Sequence, residues 1–194
     1  AHAVYSNISM EVAPGVKTKT VDSDLHCGRG GDSYTALNSW IFIAVWKRVL
    51  DDGIYQNYHW TVKVDPDAVF FPERLRSLVA DHKDADYLSN CGYGMHGPLE
   101  VLSSHALDVL AKDYKASKDG RHPERCVKKL HFGLWGEDMF LDKCLKETLH
   151  VKREFDVALL CEFDCGCTDW YWCQNGTSRV VFHPFKTVDS YKNC

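Results

Sequence analysis

Along residues 59–64, "HWTVKV", apolar and polar side chains alternate with the period of two that a strand with one buried face requires. A turn at Asp65-Pro66-Asp67 closes this strand. Pro72 then suits the first position of a helix running to about His82, because the N–H it lacks has no intrahelical partner there. Upstream, "AHAVYS" reads as a short strand and "VAPGVKTKTVDSDLHCGRGGDS" as a polar, glycine-rich connection. Leu37, Trp40, Ile41, Ala44, Val45 and Val49 recur near helical spacing, which predicts a helix capped by Asp32 or Ser33 and ended by "DDG" after Leu50. Its apolar stripe is expected to pack on a sheet.

Further along, "DYLSN" predicts a strand, "NCGYGMHGP" a glycine-rich loop and "LEVLS" another strand, after which Ser103 or Ser104 caps a helix through "ALDVLAKDYK". The basic stretch "ASKDGRHPERCVKKLHFG" reads as a linker. "LWGEDMFLDKCLKETL" follows as a helix with carboxylates in its first turn, and "VKREFDVALL" and "RVVFH" as strands. Strands alternating with helices predict an α/β fold, and there is no internal repeat or low-complexity segment.

Composition narrows the setting. A chain of 194 residues, 45% of them hydrophobic, is expected to form one domain over 1–194. The net charge of −4 and the scattered lysines and arginines exclude a basic footprint, so no nucleic-acid partner is expected. The longest strongly apolar run, "WIFIAVW", is far short of the roughly 18 to 20 residues of a membrane span. The first residue is alanine and no signal-peptide pattern follows, so the chain reads as a processed or excised piece. Nine cysteines, with sequons at Asn7 and Asn175, point to the secretory pathway, in the Golgi or ER lumen, or to the extracellular space. Eight of the nine suffice for four disulfides; the odd one stays free or ties the chain to a protein partner. The cluster "CEFDCGCTDWYWC" suits a disulfide knot better than zinc, whose sites favour repeated two-residue gaps.

The carboxylates of Asp65 and Asp67 have two readings. In open α/β sheets ligands gather outside the carboxyl ends of strands, where two acids in a tight turn attract a hard cation such as Mg²⁺ or Mn²⁺ that keeps positions for phosphate oxygens. Otherwise the tripeptide is a solvated turn, for which Asp and Pro are favoured on local grounds. Glu137 and Asp138 likewise either complement a helix dipole or do chemistry, and His183 ends a strand either as a hydrogen-bonded side chain or as a ligand.

With its flanking strand and helix, "WTVKVDPDAVFFPERLRSL" resembles the metal-binding region of GT-A type glycosyltransferases, most nearly the Fringe and core 1 β1,3-galactosyltransferase group. "GPLEVLSSHALDVL", "WGEDMFLDKCL" and "FHPFK" resemble, in the same order, that group's acceptor loop, Glu-Asp element and late histidine. The same motifs are similar to glycosyltransferase-like secretory proteins of unicellular algae. The resemblance implies a Rossmann-type mixed sheet with helices on both faces, stabilised by disulfides. It implies a metal site of Asp65, Asp67 and His183 that holds Mn²⁺ or Mg²⁺, with Mn²⁺ preferred by histidine. Asp138, or Glu137 in second place, becomes the catalytic base for inverting transfer from a nucleotide sugar, a UDP-sugar, to a protein or glycan acceptor. Lys63, Gly94, His96, Gly97 and Trp135 are the implied substrate contacts, with Tyr93 and Trp170 to Trp172 as aromatic candidates. The chain departs from the group by opening on what matches its second strand, so the first nucleotide-binding strand is expected to be missing. A glycosyltransferase-like structural or assembly subunit without catalysis is therefore the alternative, and a lectin-like or glycoside-processing domain comes third.

Overall fold

The computed structural model describes residues 1–31, 34–168, 173 and 178–194. Two compact units emerge: Ala1–Asn57 with Leu107–Leu149, and Tyr58–Ala106 with His150–Cys194. Among the described residues the protein is a mixed α/β chain with helices, several small sheets and four disulfides.

The first stretch builds β1 (Val4–Ser6), β2 (Glu11–Ala13) and β3 (Val16–Thr20), with β3 parallel to β1 and antiparallel to β2. A small hairpin of β4 (Arg29–Gly30) and β5 (Thr35–Ala36) follows. The polar connection expected here thus contains strands, which the apolar pattern hid because β2 is wholly exposed and β3 buries only Thr18. α1 (Ser39–Asp52) begins only after β5, with Asn38 at its N-cap; Asp32 and Ser33, the expected caps, lie outside the described residues. Gly53 ends the helix as anticipated, at φ 65°, a left-handed conformation that costs glycine nothing. The buried face is Ser39, Ile43 and Trp46 rather than the expected stripe, and Trp40 is 57% exposed. Ser39 takes an inward position because its hydroxyl donates to the carbonyls of Trp135 and Gly136 at 3.1 and 3.2 Å.

The second unit opens with β6 (Trp60–Val64), β7 (Val69–Phe70), α2 (Pro72–Val79), β8 (Tyr87–Ser89) and β9 (Leu99–Ser103). Pro72 is the first residue of α2, as its missing N–H predicts. Ser103 Oγ accepts the N–H of Ala106 at 3.1 Å, capping α3 (Ser104–Ala116). The basic linker proves to hold α4 (Glu124–Lys129), a helix too short to show a periodic stripe and pinned by the Cys126–Cys144 bridge. α5 (Glu137–Lys143) passes into a π-helical turn at Cys144–Thr148. The chain finishes with β10 (Arg153–Phe155), β11 (Leu160–Cys161), β12 (Val181–Phe182) and α6 (Val188–Asn193).

In the second unit, one sheet runs in the order β10-β8-β9-β6 and another in the order β11-β12-β7. Within the first sheet β10 is parallel to β8, and the other pairs are antiparallel. As an edge strand β6 is half-buried throughout, and its alternate residues Trp60, Val62 and Val64 pack against the core, which accounts for the alternation seen in the sequence. Leu88, Leu99 and Val101 from this sheet and Leu160 and Val181 from the other share one apolar core with Leu75 of α2. The turn containing Asp65 and Asp67 joins the two sheets.

Candidate metal centre

Asp65 donates its N–H to the Pro98 carbonyl at 3.2 Å and accepts the N–H of Ala68 at 3.1 Å, which closes a four-residue turn over Pro66. Asp67 stands where the chain enters β7. Antiparallel pairing sets Val69 opposite Phe182, so the next residue past β12, His183, arrives beside Asp67 with its Nε2 3.4 Å from Oδ2. β11 runs parallel to β12 with Cys161 opposite Phe182, and the next residue, Glu162, places Oε1 2.9 Å from His183 Nδ1. The Cys91–Cys165 disulfide ties this loop to a tight turn in which Cys91 and Gly94 exchange backbone hydrogen bonds. Gly94 has a φ of 151°, accessible to glycine and strained for other residues. His96 follows this turn, with its Nε2 2.8 Å from Glu162 Oε2. Asp67, His183, Glu162 and His96 therefore form one continuous chain of contacts.

Two lysines complete the electrostatics. Lys63 Nζ is 2.7 Å from Asp65 Oδ1, donates to the Gly97 carbonyl at 2.7 Å and lies 4.0 Å from the buried Glu100 carboxylate. Lys186 pairs with Asp67. Burial pushes the Asp67 carboxyl up, but Lys186 and His183 outweigh it and hold the group below the usual carboxylate range. Burial also opposes ionisation of Glu162, yet the His183 and His96 imidazoles lying against it bring it down to about 2.

One ligand atom each from Asp65, Asp67 and His183 lies within 4.8 Å of the others. Two carboxylate oxygens with one imidazole nitrogen make a donor set suited to Mn²⁺, and a carboxylate has two oxygens, so a lysine on one leaves coordinating capacity. The residues fit a divalent cation. A second grouping of His96, Glu162 and Cys165 has no thiolate to offer, since Cys165 is in a disulfide.

The sequence-derived candidates divide between the units. Lys63, Asp65, Asp67, Gly94, His96, Gly97 and His183 belong to the second, where Gly97 meets Lys63 through its carbonyl and His96 meets Glu162. Trp135, Glu137 and Asp138 belong to the first. There the Asn38 side chain caps the N–H of Glu137 at 2.9 Å, Asp138 Oδ1 accepts the N–H of Met139 at 2.7 Å, and the Lys143 ammonium lies over the Trp135 ring at 5.5 Å. Asn7 is exposed, as a glycan acceptor must be; Asn175 and Trp170 to Trp172 lie outside the described residues. All eight bridged cysteines pair within the chain, including every one in "CEFDCGCTDWYWC", and Cys27 is the exposed free thiol. Sequence reasoning missed Glu162 and Lys186, though both lie inside quoted motifs: Glu162 sits at a strand end beside a cysteine in "CEFDCGCTDWYWC", and Lys186 closes "FHPFK".

No family model matches the chain, and no curated protein matches it. Among the described residues no helix is long and apolar enough to cross a membrane, and four disulfides are consistent with a secreted or lumenal protein.

Proposed function

We propose that the strand-end cluster holds a divalent cation, Mn²⁺ before Mg²⁺, and with it the diphosphate of a nucleotide sugar, making the chain a metal-dependent inverting glycosyltransferase of the secretory pathway. The observation that carries this reading is the convergence of Asp65, Asp67 and His183 at the ends of β6 and of the paired strands β7 and β12. The GT-A likeness of the surrounding motifs supports it. Bound there, the cation would neutralise charge on the departing nucleoside diphosphate. Asp65, Asp67 and His183 would hold it, and Lys63 would fix the orientation of Asp65. The GT-A likeness alone assigns the catalytic base, to Asp138 with Glu137 second. Inversion at the anomeric carbon would follow from a single displacement.

A second reading is favoured by one observation: Asp65 and Asp67 already carry lysine partners. An assembly subunit with idle, ion-paired carboxylates would look the same at these contacts. Calorimetric titration with UDP, with and without Mn²⁺, separates the two. Metal-dependent binding that disappears in the Asp65→Asn, Asp67→Asn double variant is the expected result. Binding or transfer unaffected by that double substitution would reject the metal role.

A further inference from the structure

We infer that a cleft within the first unit binds neutral glycans, with the exposed indole of Trp40 as the face on which a sugar ring stacks. Such a site owes nothing to Asp65, Asp67 and His183, because every side chain lining the cleft belongs to the first unit.

The cleft lies between the loop 20–26, α1 and the loop 119–122, and its volume of about 560 Å³ falls within the ~300–1,000 Å³ of small-molecule sites. Trp40 lines it and is 57% exposed, although its helical spacing predicts a core position. The ring is not loose: Phe132 and His122 lie against it with ring centroids 5.4 and 6.4 Å away, the histidine edge-on. An indole held in this way offers a ligand a large contact face at little cost in conformational entropy.

Charge decides what that face takes. Lys47, Arg48 and Arg121 set three positive charges on the lining against four negative ones from Asp22, Asp24, Asp51 and Asp119. Each of these cations has a carboxylate: Lys47 pairs with Asp51, Arg48 lies 3.1 Å from Asp52, and Arg121 lies 3.3 Å from Asp22. A phosphate or other anion finds no uncompensated cation here. Among the described residues these acids form no three-ligand cluster, so the lining does not suit a metal ion either. A neutral ligand fits, one with a C–H face for the indole and hydroxyls for the charged rim, and that is the chemistry of a sugar.

The rim is built for hydroxyls. Asp24 Oδ1 accepts the N–H of His26 at 2.9 Å and Asp119 Oδ1 that of Arg121 at 3.0 Å, which orients each carboxylate and leaves it accepting capacity. Leu25 is held at φ 61°, a left-handed backbone uncommon for leucine, and its neighbours Asp24 and His26 line the cleft while it does not. Arg121 beside Asp22 sets donors next to an acceptor, the pattern that adjacent sugar hydroxyls match.

The test uses the whole chain. On an array of neutral oligosaccharides ending in mannose, galactose, glucose or N-acetylglucosamine, with sialylated and sulfated glycans and unglycosylated peptides alongside, binding in EDTA should be confined to neutral glycans. Calorimetry with the tightest binder should give the same affinity in EDTA as with Mn²⁺, and at least about tenfold weaker binding to Trp40→Ala, the loss expected of a truncated aromatic anchor. The Trp40 indole N–H signal in ¹H–¹⁵N spectra, assigned from a Trp40→Phe variant, should move on addition of the same oligosaccharide. No neutral glycan bound, or a preference for acidic glycans or peptides, would overturn the ligand class. Binding that needs Mn²⁺, or that is unchanged in Trp40→Ala, would overturn the location. Should Trp40→Ala fail to fold, the wild-type indole signal decides: movement supports the site and a stationary signal refutes it. Failure on any of these counts leaves the cation reading untouched, since no metal enters the cleft.

Discussion

Cys91 and Cys165 bracket the polar chain at the candidate site, and removing their bridge by a Cys91→Ala, Cys165→Ala double substitution has a calculable consequence. The two residues are 74 positions apart. Closing a loop of that length takes about 15 cal/mol/K of entropy from the unfolded chain, or about 4.5 kcal/mol at 25 °C. For a protein stable by about 5–15 kcal/mol this is a large fraction of the total. The Cys126–Cys144 bridge, at a separation of 18, is worth about 3 kcal/mol by the same relation and serves as a comparison. Urea unfolding followed by far-UV circular dichroism and tryptophan fluorescence should therefore show the greater loss for Cys91→Ala, Cys165→Ala. The urea dependence should steepen in both variants, because an unfolded chain freed of a cross-link exposes more surface. The site adds its own readout: His96 and Glu162 stand on the two sides of the lost bridge, so Mn²⁺ affinity should fall with stability. A loss below about 1 kcal/mol, with unchanged urea dependence, would refute the loop-closure reasoning for this pair.

Two further predictions concern the rest of the molecule. His82 lies 2.8 Å from Glu154 and 2.9 Å from Asp156 through its two ring nitrogens. Burial pushes its pKa down and the two carboxylates push it up by more, so the net shift is upward; its contribution is complete below the unfolded value near 6.5 and is lost as pH rises through the folded value. The urea midpoint should fall as pH rises above about 6.5, and His82→Gln should flatten that slope; a slope unchanged by the substitution would remove His82 as its cause. Cys27, the exposed thiol, should take up a single carbamidomethyl group under native, non-reducing conditions, read by intact mass. Two or more labels would contradict the four-bridge pairing.

What could be read from the sequence was what local chemistry dictates. Pro72, Gly53 and Ser103 marked helix ends because their roles depend on their own backbone positions, and "HWTVKV" marked an edge strand because one face meets a core. β2 and β3 escaped because exposed strands need no apolar alternation, and β7 escaped because two residues inside an apolar run carry no period. The site divides in the same way. Asp65, Asp67 and His183 are recognisable as polar residues at strand ends. Glu162 is not, because its partners follow from the parallel register of β11 on β12 and from the pairing of Cys165 with Cys91, both long-range choices that no local pattern encodes.

The lysines on the two aspartates do not by themselves exclude a cation, because the two differ in how firmly they are held. Lys63 is 13% exposed and tied to the Gly97 carbonyl, while Lys186 is 69% exposed and its ion pair is of the surface kind that contributes little. In the proposed reading, a cation entering beside Asp67 competes with Lys186, the weaker of the two, and leaves Lys63 to hold Asp65 in place. An assembly subunit with idle carboxylates gives Mn²⁺ no reason to bind, so Mn²⁺ binding that survives Lys186→Ala and fails on loss of Asp67 is a pattern that belongs to the metal site alone.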